Sequence, residues 1–455
     1  MIVVRARPGF KFMYPGAFPC QTHPMTGKRP RASEEEVRYG PGFGLPPADT
    51  GSRVLDLVTA VLLFFLHVER RIDPFFRRPF DALFRDPLTA LTTWLINWTR
   101  RKERNDGLGL AEERLQPDEE EHLQDIIDTF TAQIRGLWKP GHFERGGNTK
   151  THGIVRAEFT IRDDLPENMR RGIFAEPRTY RAWVRFSGPG PYVTADIDDV
   201  GFMSMSIKLL GVPGPKLLDD EQFTQDLLGV SPPTFVTPDT RSNAQLQHWS
   251  LKNASPFYFM NPRDSHILDS IMQLLWTRTQ SSPLEGDYFS CVPYLLGEGQ
   301  AMQYSFATRR KERTGVPRLP RRPPDNYLRD AMVGTLAGED VEFDVRLQLQ
   351  TDPFLMPLEN AAVLWPTKLS PRVPAAVLRI PKQTFDSPEQ LDFARVLSYN
   401  PWHSIAEHRP LGNQSRARKR MYSELSRLRQ QANGVEHYEP TGDEEFPGSP
   451  PIPAR

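Results

Sequence analysis

The 455-residue chain holds only two cysteines, Cys20 and Cys291. Two thiols cannot build a disulfide framework, and no CxxC or zinc-ligand spacing is present. Net charge is absent as well, because 57 Lys and Arg balance 57 Asp and Glu. That removes the basic excess on which nucleic-acid binding draws. There is no phosphate-binding glycine loop, no GxSxG elbow and no HExxH helix, so three common enzyme signatures are excluded. No apolar run reaches the roughly 20 residues that cross a bilayer. The stretch MIVVRARPGFKFMYPGAF lacks an apolar core followed by a small-residue cleavage site, so it does not read as a secretory signal. With so few cysteines, this points to an intracellular protein.

What is present divides the chain. Residues 1–50 and 433–455 are rich in Pro, Gly and charge, and are expected to be disordered. Residues 51–110 form an apolar helical extension. Its run VLDLVTAVLLFFL, from Val54 to Leu66, precedes a segment in which Phe and Arg interleave. One reading is a helical hairpin packed on the main domain. The other is a helix lying in a membrane interface, which would make the protein peripheral to a membrane surface. Residues 116–139 read as an amphipathic helix with Ile126, Ile127 and Phe130 on its apolar face.

From 150 to 350, five short runs alternate apolar and polar residues: GIVRAEFTI, TYRAWVRFS, MSMSIKLLG, AMQYSFATR and VEFDVRLQLQ. Period-2 alternation with β-branched and aromatic residues predicts strands, and SHILDSIMQLLWTRTQ predicts an intervening helix. The fold class expected for 111–432 is α+β, an antiparallel β-barrel with inserted and C-terminal helices. The loop Arg309–Arg322 is strongly basic and reads as exposed, with anionic lipid contact as the sharper alternative.

Ser415 to Gln431 contains no Gly or Pro, is rich in arginine, and predicts a helix. Arg418, Tyr422 and Arg429 then share one face. Positive charge beside a phenol favours its ionised form, and tyrosinate is a known haem-iron ligand. The alternative is a solvated basic helix with one half-buried tyrosine.

The Arg418-x-x-x-Tyr422 spacing, with Arg429 seven residues on, resembles the end of the haem domain in the haem-dependent catalase-like superfamily. That superfamily joins true catalases with haem proteins acting on fatty-acid hydroperoxides. Further stretches resemble it in order. They are Arg185-Phe186-Ser187, DIDDVGFMSMSIKLLG, TQDLLGVSPPTF, PPDNYLRDAMVGTLAGEDVEFDVRLQLQ and LWPTKLSP. The resemblance runs from about Arg145 to Arg429. It implies a catalase-type barrel and a haem b cofactor, with Tyr422 on iron and Arg418 beside it. It also implies Arg429, Arg185 and Arg145 near the propionates, and Phe235 on the distal side.

The distal side departs from the family. A distal histidine is expected within ERGGNTKTHGIVRAEFTI, and either Asn148 or His152 takes its place. Where the family has an asparagine, the chain has Val230 with Ser231 beside it. Valine cannot donate a hydrogen bond to a peroxide, so fast hydrogen peroxide dismutation is not expected. The resemblance with this departure implies action on organic or fatty-acid hydroperoxides. A weak catalase or peroxidase using hydrogen peroxide, or a non-catalytic haem- or lipid-binding barrel, are the alternatives. His403 and His408 read as packed loop residues, and His142 as a surface residue.

Overall fold

A computed structural model describes residues 46–448, apart from Glu312. Its centre is antiparallel sheet. β1 (Thr151–Ile161), β2 (Thr179–Ser187), β3 (Ser204–Leu210) and β4 (Thr224–Val230) pair in chain order, and β5 (Tyr288–Phe289) follows on β4. From the other side of β1 run β9 (Val373–Ile380), β8 (Val341–Leu349) and β7 (Ala301–Thr308). β5 also pairs with β7, which closes a ring of eight strands, and β6 (Tyr294–Leu295) adds to β7. The closing link is short. One residue pair, Val230 with Phe289, joins β4 to β5, and two pairs join β5 to β7.

Alternation fills this barrel. Val184 and Phe186 of β2, and Met205, Ile207 and Leu209 of β3, belong to the large buried core with Phe159, Phe306 and Phe343. Their neighbours Arg185, Ser204, Ser206 and Lys208 take the opposite, outer face. The five strands predicted from alternation are all present. β4, β5, β6 and β9 were not predicted. β5 and β6 are two residues each, and β9 carries Pro374, which breaks the strand signal.

Helices cover the outer face of β2–β4. α3 (Glu119–Leu137) lies against α4 (Thr240–Leu251) and α9 (Asn413–Asn433). Leu123, Ile126 and Ile127 of α3 pack on Ala417 and Met421 of α9. Asp239 caps α4 by accepting a hydrogen bond from the Ser242 amide at 2.8 Å. Short α5 (Pro256–Phe259) and α6 (Ile267–Trp276) follow. α7 (Tyr327–Leu336) and α8 (Pro388–Val396) pack on β1.

The apolar extension is not a hairpin. α1 (Arg53–Phe80) passes through one π-helical stretch, Asp81–Arg85, straight into α2 (Asp86–Thr99), with no intervening loop. Its bonds to the main domain are polar. Arg77 donates to the Thr277 carbonyl at 2.7 Å, and Asp73 accepts from the Thr279 amide at 2.8 Å. Arg70 donates to the Val200 carbonyl and lies flat on Gly201. A Cβ at Gly201 would meet Arg70 Nη1 at 1.2 Å, so only glycine fits there. No described helix is long and apolar enough to cross a membrane.

The disorder expected for 1–50 falls mostly outside the described residues. Residues 434–448, also expected to be disordered, instead lie along the barrel. Glu444 accepts from Trp183 Nε1 at 2.9 Å, Arg156 donates to the Gly442 carbonyl at 2.8 Å, and Phe446 packs on Trp183. Composition there favoured disorder, but two anchoring side chains supply the contacts that hold the segment.

Candidate functional site

A cavity of about 310 Å³ lies between the outer face of β2–β4 and helices α3, α4, α6 and α9. The strand register builds its floor. Arg185 stands opposite Ser206, Ser206 opposite Leu228, and Ser204 opposite Val230, so these five share one face. Helix α9 builds the wall. Gln414, Arg418, Met421, Tyr422, Leu425, Ser426 and Arg429 line the cavity at spacings of three and four. The sequence-predicted residues Arg145, Asn148, Arg185, Val230, Phe235, Arg418, Tyr422 and Arg429 therefore meet around one space.

The arginines of α9 divide by face. Arg416 bonds to Glu113, Glu119 and Glu359, and Arg420 to Glu120 and Glu424. On the cavity side, neither Arg418 nor Arg429 forms an ion pair with a described carboxylate, and nor do Arg145 and Arg185. Arg429 donates to the carbonyls of Arg395 and Leu397. Arg185 donates to Thr151 Oγ1 at 2.8 Å and the Asn148 carbonyl at 2.7 Å. Arg145 donates to the Ala394 and Leu397 carbonyls, while its Nη1 is buried without a hydrogen-bond partner. Burial, then mutual repulsion, pushes the pKa values of Arg185 and Arg429 well down. Arg145 is lowered by burial. Among the described residues, the one carboxylate that offsets these three cations is Glu144, itself paired with Arg395, and the positive charge left in a low-dielectric site favours an anion.

Arg418 differs. Its guanidinium lies 5.0 Å from the Phe235 ring centre and 6.0 Å from that of Tyr422. Burial lowers its pKa, but Tyr422, Tyr294, Cys291 and Tyr304 facing it outweigh burial and raise it.

No protein-family model matches this chain, and no curated protein sequence does. Solved structures do. Catalase A from Saccharomyces cerevisiae aligns with a TM-score of 0.52 and 14% identity, over 74% of this chain and 72% of that one. A fungal catalase aligns at 0.50 and 16%, over 67% of this chain and 63% of that one, so less than two thirds of its length. The chain has the catalase fold.

Within this catalase-type barrel, the two distal candidates part. Asn148 lines the cavity with a backbone φ of 51°. Its Oδ1 accepts from Ser204 Oγ at 2.5 Å, and its side-chain nitrogen has no described partner. His152 does not line the cavity. A bulge between Thr151 and Gly153 takes it out of the β1–β2 ladder. Its ring is buried 3.7 Å from Asp196, whose carboxylate is held by Lys150 at 2.6 Å. Burial, with Lys150 and Arg329 nearby, drives its pKa well down, so it is neutral. Ser231 also lies off the cavity, where its Oγ accepts from the Met203 amide at 3.0 Å.

Among the described residues, no histidine, aspartate or glutamate lines the cavity. The wall therefore offers amides, hydroxyls, guanidiniums and phenols, but no group that exchanges protons readily near neutral pH.

Sequence reasoning missed a buried charge network beside the cavity. Lys208 and Asp226 pair across β3 and β4, with Nζ–O distances of 2.8 and 3.0 Å. Glu221 and His403 complete it, and His403 Nδ1 lies 2.9 Å from Asp226. Lys208 Nζ is 5.4 Å from the ring centre of Tyr399, which lines the cavity. The partners lie far apart in sequence and only strand register brings them together. His408, by contrast, accepts from the Ile173 amide at 2.9 Å in a packed loop.

Proposed function

We propose that the cavity holds haem b and that the protein acts on organic or fatty-acid hydroperoxides. The supporting observation is a tyrosine and four arginines, three of them buried and none in an ion pair, around a cavity whose other walls mix apolar side chains with hydroxyls and amides. That donor set fits a dianionic, planar, mostly hydrophobic cofactor. Tyr422 would ligate iron through its phenolate oxygen, with the Arg418 charge beside that anion. Arg145, Arg185 and Arg429 would hold the two carboxylates. Bound haem iron would supply cleavage of the O–O bond, chemistry no side chain here provides.

The protein's own groups set which peroxide is served. Asn148 can donate to a peroxide oxygen but cannot take up its proton. Val230 excludes water and presents methyl groups, as do Leu228, Val236 and Leu425. Rapid hydrogen peroxide dismutation needs a proton-exchanging group, which this wall lacks. A bulky apolar hydroperoxide gains from the same surface by burial.

The test is an absorption spectrum of the protein supplied with haem. A Soret band with high-spin ferric character is expected, and Tyr422→Phe should lose haem or change that spectrum. Wild-type haem content and spectrum in Tyr422→Phe would refute the assignment. In turnover, fatty-acid hydroperoxides should be consumed in preference to hydrogen peroxide. Oxygen evolution at the speed of a true catalase would refute the substrate reading.

A further inference from the structure

We infer that α1 and α2 form a monotopic membrane-binding surface, seated in one leaflet of an anionic lipid bilayer. The inference stands apart from the haem reading. It rests on an inversion of polarity. Along the continuous helical run 53–99, the stripe buried against the domain is mostly polar: Thr59, Arg70, Asp73, Arg77, Thr89 and Thr92. The face turned outward is apolar. Val54, Leu57, Phe65, Phe75, Leu83 and Trp94 are each at least 60% exposed. A helix on a water-soluble domain buries its apolar stripe and exposes its polar one. Here the two are exchanged over more than eleven turns' worth of chain in sequence order, so the outward face must meet something apolar.

Charge and composition decide the occupant. The C-terminal end of the run is basic, with Arg101, Lys102 and Arg104 exposed, and Arg53 and Arg78 are further exposed cations along it. Between 53 and 104 the exposed carboxylates are only Asp86 and Glu103. Cations flanking an apolar face that carries Phe and Trp match the acyl chains and anionic headgroups of a leaflet. A second copy matches less well, because it would bring the same excess of exposed cations against Arg53, Arg78, Arg101, Lys102 and Arg104. The polar inner bonds keep the run on the domain, so it lies in the membrane plane and does not cross, in accord with the lack of a spanning helix among the described residues. α6 extends the surface. It packs on α2 through Met272 and Ile96, exposes Ile271 and Leu274, and sends Gln273 to the cavity.

The full chain should co-sediment with vesicles of phosphatidylcholine and phosphatidylglycerol, and more weakly with phosphatidylcholine alone. The triple variant Phe65→Glu, Phe75→Glu, Trp94→Glu alters exposed side chains, so its melting temperature should hold while partitioning falls about tenfold or more. Brominated lipid should quench tryptophan emission of the wild-type chain, and Trp94→Phe/Trp98→Phe should lose that quench. This second reading does not depend on the triple variant folding. Equal partitioning of wild type and a folded triple variant would overturn the inference. So would no vesicle binding by the full chain, whether because residues 1–45 cover the face or because a second copy does. The latter would show as a wild-type dimer that the triple variant converts to monomer.

Discussion

Replacing Arg145 with methionine separates a structural arginine from one that waits for an anion. Two hydrogen bonds to the Ala394 and Leu397 carbonyls would go, at a net cost of about 1 kcal/mol each. Leu397 keeps a donor from Arg429 at 3.2 Å, which limits the damage. Against this, repulsion with Arg185 and Arg429 would be relieved. After burial, that repulsion is the largest charge effect on both partners, where it lowers the Arg185 and Arg429 pKa values. The desolvation of a third buried cation and the orphaned Nη1 are relieved as well. For protein without haem the terms nearly cancel, and its melting temperature should change little or rise. With haem the balance reverses. A charge-assisted contact to a carboxylate is worth about 1.5–3 kcal/mol, so affinity should fall about 10- to 150-fold. Calorimetry on haem-free protein and a Soret titration measure the two arms. A haem-free variant destabilised by several kcal/mol with unchanged haem affinity would show that Arg145 only ties the α8 end to the barrel.

His403 should impose an alkaline limit on stability. Burial and Lys208 lower its pKa, but Asp220 and Asp226 outweigh them and raise it to about 9 from the usual 6.5. A raised folded value stabilises below about pH 6.5 and is lost as pH climbs through 9. Its contribution is at most about 3 kcal/mol. Melting curves between neutral and alkaline pH should flatten in His403→Gln, and an identical profile would dismiss the pairing. At the cavity, Val230→Asn should raise hydrogen peroxide dismutation by up to about a hundredfold by adding a donor. No gain, with haem content preserved, would mean that the donor is not what limits the reaction. Asn148→Ala should slow hydroperoxide turnover whereas His152→Ala should leave the rate per haem unchanged. The opposite pattern would return the distal role to the histidine.

Periodic features were legible in the sequence. Alternation in TYRAWVRFS gave the β2 strand, and the α9 stripe put Arg418, Tyr422 and Arg429 on one wall. Features set by a single residue of register were not. One bulge at Thr151–Gly153 decides between Asn148 and His152, and a one-residue slip exchanges the two faces of a strand. Cross-strand partners such as Lys208 and Asp226 depend on pairing that no local pattern carries. The polarity of α1 was visible as an apolar run, but its orientation was not. Which face points inward was fixed by the polar groups at Val200, Thr277 and Thr279 that receive it.

The closing link of the barrel has a mechanical consequence. A ring of strands has no free edge from which to unzip, so it parts first where the fewest bonds bridge neighbours. That place is β5, two residues long, between β4 and β7. Gly229 and Val230 on one side, and Ser290 just after β5, are also cavity wall. The weakest rivet in the hoop is thus part of the chamber's own wall. Local opening there would admit a broad, flat guest at the cost of a few backbone bonds, while the other seven strands stay fastened.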